Sequence, residues 1–122
     1  MIPRSVHEQN LRTLLWPIAA LIDEVGVSEI MINGPDRVYV ERKGRLHATS
    51  HRFDGPEALM AVVRAMAQYA GRNIGPDAPI LEAQLPDGSR IEAVIPPAAP
   101  DGPILNIRRF SRSTLTLEWP LG

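Results

Sequence analysis

Apolar residues recur along this chain in two rhythms, one helical and one alternating. The helical rhythm comes first, over residues 5–15, where Leu11, Leu14 and Leu15 share a face. Trp16-Pro17 interrupts it. Proline suits the first position of a helix, so a second helix is predicted over 17–24, with Ile18, Leu21 and Ile22 buried and Gly26 ending it. Alternation takes over in residues 29–33, where Ile30 and Ile32 point one way. It continues in 37–42, with Val38 and Val40 inward and Arg37, Tyr39 and Glu41 outward. Asn33-Gly34-Pro35-Asp36 and Lys43-Gly44 have turn composition, so 29–33, 37–42 and 45–50 read as an antiparallel meander.

Helical spacing returns over 54–70 through Leu59, Val62, Val63, Met66 and Ala70, a stripe suited to packing on a sheet. Asp54 and Glu57 have the spacing of a capping box, and Gly71 suits a left-handed cap. Residues 80–85 and 90–95 are strands on either side of Pro86-Asp87-Gly88-Ser89, a hairpin-turn signature. A proline-rich connection, 96–102, leads to a last strand over 103–110, and 111–122 reads as a terminal linker. This order of elements implies a single α+β domain over 1–122: an antiparallel or mixed sheet of about six strands, with helices packed on one face. Residues 1–15 form its N-terminal helix.

Composition narrows the function classes. A length of 122 residues supports one core without covalent staples, and the absence of cysteine removes disulfides and thiolate metal sites. The net charge of -1 argues against a nucleic-acid binder that works by bulk charge. Stacking of single-stranded nucleic acid on an open sheet would need exposed aromatics, and only Tyr39 and Phe110 fall on strands. No nucleic-acid partner is therefore expected. The N-terminus lacks the pattern of a signal peptide, and apolar runs such as 18–22 are too short to span a bilayer. His7, His47 and His51 have no metal-ligand spacing, Ser111 and Ser113 have no histidine nearby, and no metal site is expected. Asp23, Glu24 and Glu29 read as solvated helix-end and loop carboxylates. Arg42, Lys43 and Arg45 make a basic hairpin tip, either a solvated turn or a contact for an anionic membrane surface or a partner protein.

One constellation suggests chemistry. Arg90 shares a strand face with Glu92 and Val94, and Arg108 shares one with Ile104 and Asn106. If the 96–102 connection centres on Ala99, antiparallel pairing sets Arg90 opposite Arg108, because the two are equidistant from that centre. Like charges directly opposite on a sheet cost roughly 0.2–1 kcal/mol. Either a bound anion offsets this, since guanidinium forks fit phosphate oxygens, or Glu92 does so one pair along. A slip of one residue would turn the pair to the other face.

The segments SEIMINGPDRVYVERKGRL (28–46), LPDGSR (85–90), IEAVIPP (91–97), and DGP followed by IRRF (within 101–110) resemble, in order and spacing, the N-terminal domain of type II/type IV secretion ATPases. The tight-adherence pilus branch is the nearest in pattern. Trp16-Pro17 resembles the short helix that precedes the first strand in this family, and 114–118 resembles the start of the linker to its motor domain. The resemblance implies that nucleotide sits between the N-terminal and motor domains, and that arginines of the last strands reach its phosphates. The matching positions are Arg90 and Arg108. Arg109 is a secondary candidate, because it shares a face with Leu105 and Ile107. The resemblance also implies ATP and Mg²⁺ as cofactors of the full-length enzyme, with none for this chain alone. Its implied partners are the chain's own motor domain or a full-length ATPase, a hexameric ring and a membrane platform protein, in the cytoplasm at the inner membrane. No G-x-x-x-x-G-K-[ST] loop occurs in the 122 residues, so hydrolysis by this chain alone is not expected. A naturally motor-less adaptor or regulator that docks on such an ATPase is the alternative.

Overall fold

The computed structural model describes residues 4–85 and 87–109. Helix α1 (Arg4–Leu14) is followed by a 3₁₀ turn, Trp16–Ile18, and a short helix α2 (Ala19–Asp23). Pro17 sits in the first turn of the 3₁₀ segment, where the amide it lacks would have had no partner. Trp16-Pro17 thus breaks the helix as expected. The second helix ends at Asp23, within a residue of the predicted end. Glu24 adopts an extended conformation (φ -77°, ψ 119°), so Gly26 caps nothing and lies in the turn before the next strand. Helix α3 (Pro56–Ala70) also departs from the predicted start. Pro56 occupies its first turn, Gly55 is the N-cap residue, and no side chain caps it. The proposed Asp54–Glu57 capping box is therefore absent, because Asp54 falls one residue outside the cap. Gly71 does close the helix in the left-handed region (φ 70°), its amide donating to the carbonyls of Ala67 and Gln68.

Six strands follow the alternating segments: β1 (Val27–Asn33), β2 (Val38–Arg42), β3 (Arg45–Ala48), β4 (Ile80–Gln84), β5 (Arg90–Val94) and β6 (Ile104–Arg108). They form one sheet in the order β3-β2-β1-β6-β5-β4, and every neighbouring pair is antiparallel. The sheet is two three-stranded meanders joined along β1 and β6. The tight β2–β3 loop requires positive φ at both central residues, and Lys43 (54°) and Gly44 (76°) supply it. Strand β1 begins two residues before the predicted start because an irregularity at Ser28 lets the ladder extend to Val27, opposite Arg42. The predicted extension of the last strand to Phe110, and the linker over 111–122, lie outside the described residues.

One face of the sheet is the core. Ile30, Ile32, Val38, Val40, Leu81, Ile91, Ala93, Leu105 and Ile107 are all buried. They pack against Leu11, Leu15, Ile18 and Leu21, and against Leu59, Val62, Val63 and Met66 of α3. Each such aliphatic side chain contributes on the order of 1.5–3 kcal/mol relative to exposure. The predicted helix stripes are these contacts, with Leu14 and Ile22 half-buried against the core and Ala70 half-buried at the end of α3. The sheet's other face carries no helix among the described residues, and Ile80 and Ile104 stand exposed on it.

A side-chain clamp fixes α2 to the sheet. Arg42, at the end of β2, donates from Nε to Glu24 Oε2 (2.6 Å) and from Nη2 to Glu24 Oε1 (2.9 Å), a bidentate fork. Glu24 was expected to be solvated, but it sits where the chain leaves α2, within reach of the end of β2. The hydrogen bond from Arg42 holds the Glu24 carboxyl below its ordinary value of 4.5, against a smaller opposing effect of desolvation.

Two outcomes are expected. Ile107→Ala should cost about 2–5 kcal/mol in urea unfolding, while Ile104→Ala, three residues away on the bare face, should stay within about 0.5 kcal/mol. Equal effects would contradict the one-sided core. For Glu24 the folded-state pKa is the lower one. The stabilisation is then fully present above the unfolded value and is lost as pH falls through the folded value. The gap in unfolding midpoint between the native chain and Arg42→Gln should be open at neutral pH and close in acid. A gap that does not change with pH would mean that the clamp adds no stability.

Candidate functional site

One row on the bare face of the sheet brings four charged residues together. The register places Glu41 opposite Glu29, Glu29 opposite Arg108, Arg108 opposite Arg90, and Arg90 opposite Gln84. Across four strands the row therefore reads acid, acid, base, base. The next row on the same face holds Tyr39, Met31, Asn106, Glu92 and Glu82. Alternation forces this grouping: once Ile30, Ile107 and Ile91 face the helices, Glu29, Arg108 and Arg90 must face away.

Arg90 and Arg108 are direct cross-strand partners, as their equal distance from Ala99 predicts. Ala99 is buried at the centre of the connection; its amide donates to the Ile95 carbonyl, and its own carbonyl accepts from the Gly102 amide. Backbones of paired residues lie about 4.5–5.5 Å apart, so two guanidinium groups can converge on one oxyanion. Both residues are exposed, and the Arg108 side chain retains 74% of its accessible surface. Neither guanidinium donates a hydrogen bond to another described residue, which leaves their donors directed at solvent.

The counter-charge comes from an unexpected place. Glu92 forms no ion pair among the described residues. Instead Glu29 Oε1 lies 3.9 Å from Arg108 Nη2, with the Glu29 side chain only 20% exposed. Glu29 was expected to be a solvated loop carboxylate, yet it sits in the middle of β1. The strand alternation already placed it on the outward face. What the chain order did not disclose is that β6 pairs with β1.

The remaining candidates separate. Arg109 is buried on the opposite face, its amide donating to the Ser28 carbonyl (2.8 Å), so it does not share the surface of Arg90 and Arg108. At the hairpin tip Lys43 and Arg45 are exposed, whereas Arg42 is held by Glu24. His51 is structural in position, its Nδ1 lying 3.0 Å from the Pro17 carbonyl oxygen. Among the described residues no group of three side chains is arranged to hold a metal ion, and no helix is long and apolar enough to cross a membrane.

Residues 13–120 match the family described as Type II/IV secretion system protein. The type IV secretion system protein VirB11 of Bartonella quintana is 36% identical over 110 residues, covering 87% of this chain and 30% of that protein. Protein VirB11 of Agrobacterium fabrum is 30% identical over 114 residues, covering 91% and 32%. The crystal structure of the VirB11 ATPase from the Brucella suis type IV secretion system, in complex with sulphate, superposes with a TM-score of 0.84 at 26% identity. That superposition covers 93% of this chain and 34% of the other. The chain thus spans about a third of the length of these relatives. A match that runs from the end of α1 through β6, together with the shared sheet, shows that the chain belongs to the type II/IV secretion system protein family.

Proposed function

We propose that this chain is the N-terminal domain of a secretion ATPase and that Arg90 and Arg108 reach the nucleotide phosphates from it. The observation that carries this is the pair itself: two exposed arginines directly opposite one another, on the sheet face that no helix covers among the described residues. Such a pair is unfavourable on its own and favourable around an oxyanion, because each planar fork can donate two parallel hydrogen bonds. The relatives that bracket the chain include one described as an ATPase and solved with sulphate, an anion of similar shape and charge to phosphate.

On this proposal the arginine pair is half of a site. The 122 residues contain no Gly-rich phosphate loop, so ATP and Mg²⁺ would be held mainly by a motor domain across the cleft. The Mg²⁺-bound nucleotide supplies the reacting phosphoryl group. Arg90 and Arg108 bind and orient its oxygens, and they couple closure of the cleft to occupancy. Two rigid strands hold the arginines, so their spacing persists as the domains move. Assembly into a ring through both domains, docking on a membrane platform protein, and a cytoplasmic position at the inner membrane complete the proposal. Lys43 and Arg45 offer charge to an anionic surface, whereas Arg42 is already engaged.

In the full-length enzyme, Arg108→Ala should lower ATPase activity roughly 10- to 100-fold, the loss expected for a charge-assisted contact to phosphate. Its unfolding midpoint should change little, since the side chain is exposed. Full activity in a well-folded Arg108→Ala enzyme would sink the phosphate role.

A further inference from the structure

The charged row on the bare face contains a device that the arginine pair alone does not require. Glu29 lies between Glu41 on one side and Arg108 on the other, and four-fifths of its side chain is shielded from solvent. Its carboxylate is 3.9 Å from Arg108 Nη2. A charge-assisted hydrogen bond would measure about 2.7–2.9 Å, so Glu29 attracts Arg108 without occupying its N–H donors. Arg90 has no carboxylate at ion-pair distance among the described residues. The two arginines are therefore unequal: one is tethered by charge, the other is free of such a tether.

From this arrangement we propose that Glu29 is a resident counter-ion of Arg108 that competes with the phosphate and so sets how tightly the arginine pair holds it. The inference rests on the phosphate role proposed above. Without an anion, Glu29 draws Arg108 along the row, away from Arg90, and relieves the repulsion between the two arginines. When a phosphate enters between them, Arg108 must turn its fork toward the new anion, and Glu29 is left facing a like charge one strand away. The shielded position matters because a carboxylate on a central strand cannot swing out into water as a loop carboxylate could. The site would thus bind phosphate and also release it, as a site that cycles must. Glu29 would act as a positioning residue for Arg108 rather than as a ligand.

The test is titration of the 122-residue chain with inorganic tripolyphosphate by calorimetry, using the native sequence, Glu29→Gln, Arg108→Ala and the double variant. Removing one negative charge a strand away should tighten binding by about three- to tenfold. Arg108→Ala should weaken it, and in the double variant the gain from Glu29→Gln should disappear. A merely structural Glu29 would lower the unfolding temperature when replaced without tightening binding, so thermal unfolding is followed alongside. If Arg108→Ala weakens binding but Glu29→Gln does not tighten it, the counter-ion role is overturned and the phosphate role stands. The counter-ion role is likewise overturned by an equal gain with or without Arg108, since Glu29 would then act on the anion directly. Affinity unaffected by Arg108→Ala overturns both. No saturable binding by any variant overturns the counter-ion role, and ATPase activity of the full-length Arg108→Ala enzyme then decides the phosphate role.

Discussion

Side chains on a β-strand must alternate, and this constraint links the hydrophobic core to the charged surface. In each central strand, burying one set of residues fixes the direction of the other. Ile30 and Ile107 pair beneath the helices. Their neighbours Glu29 and Arg108 then have no choice but to pair on the far side. The direction of the charged row is in this sense a by-product of packing, whereas its composition is not. Four successive strands supply two acids and then two bases. An arrangement chosen only for stability would alternate the signs, because opposite charges stabilise a cross-strand pair and like charges do the reverse.

That segregation of sign has electrostatic consequences beyond any one contact. Within this row the acids lie on β1 and β2 and the bases on β5 and β6, with the Glu29–Arg108 pair at the border, while Glu92 and Glu82 add negative charge in the next row. An approaching anion is drawn toward one half and repelled by the other, so the row specifies direction as well as affinity. Exposure keeps each contribution modest, because water and salt screen charges that lie on a surface. A second domain closing over the face would exclude water and strengthen every term in the row. The site's behaviour would therefore depend on closure even if no side chain changed its partner.

Much of this was legible in the sequence because the informative signals are local. Alternation in 37–42 and 90–95, the Lys43-Gly44 loop and the Gly71 cap each depend on neighbouring residues alone, and each appears in the structure. The Arg90–Arg108 pairing was legible for a related reason, since a hairpin centred on Ala99 leaves one register available. Local signals failed where two of them competed. Pro56 and Gly55 displaced the Asp54 cap, and the chain turned out of α2 before reaching Gly26. The counter-ion was missed for a different reason. Glu29 and Arg108 are far apart in the chain, and nothing in the spacing of either strand announces that β6 inserts beside β1. Arg42 was likewise read from its hairpin neighbours, whereas its partner Glu24 lies at the end of α2, on the far side of β1 in the chain.

The insertion of β6 beside β1 also bears on how the protein is made. Until β6 is available, β1 has a partner on only one side, and the edge that will become the middle of the sheet stays open. During synthesis the first meander must wait for residues 104–108 to leave the ribosome before its apolar face is sealed against Leu105 and Ile107. Pairing at such sequence separation is slow to form and exposes an unsatisfied edge meanwhile. The outward side of that waiting edge carries Ser28 and Glu29 instead of an uninterrupted apolar surface, and an irregular backbone at Ser28 twists its start. Charge and irregularity on a temporary edge discourage a second nascent chain from pairing there first. The acidic start of β1 thus has a part to play before the fold is complete, as a guard against the wrong neighbour.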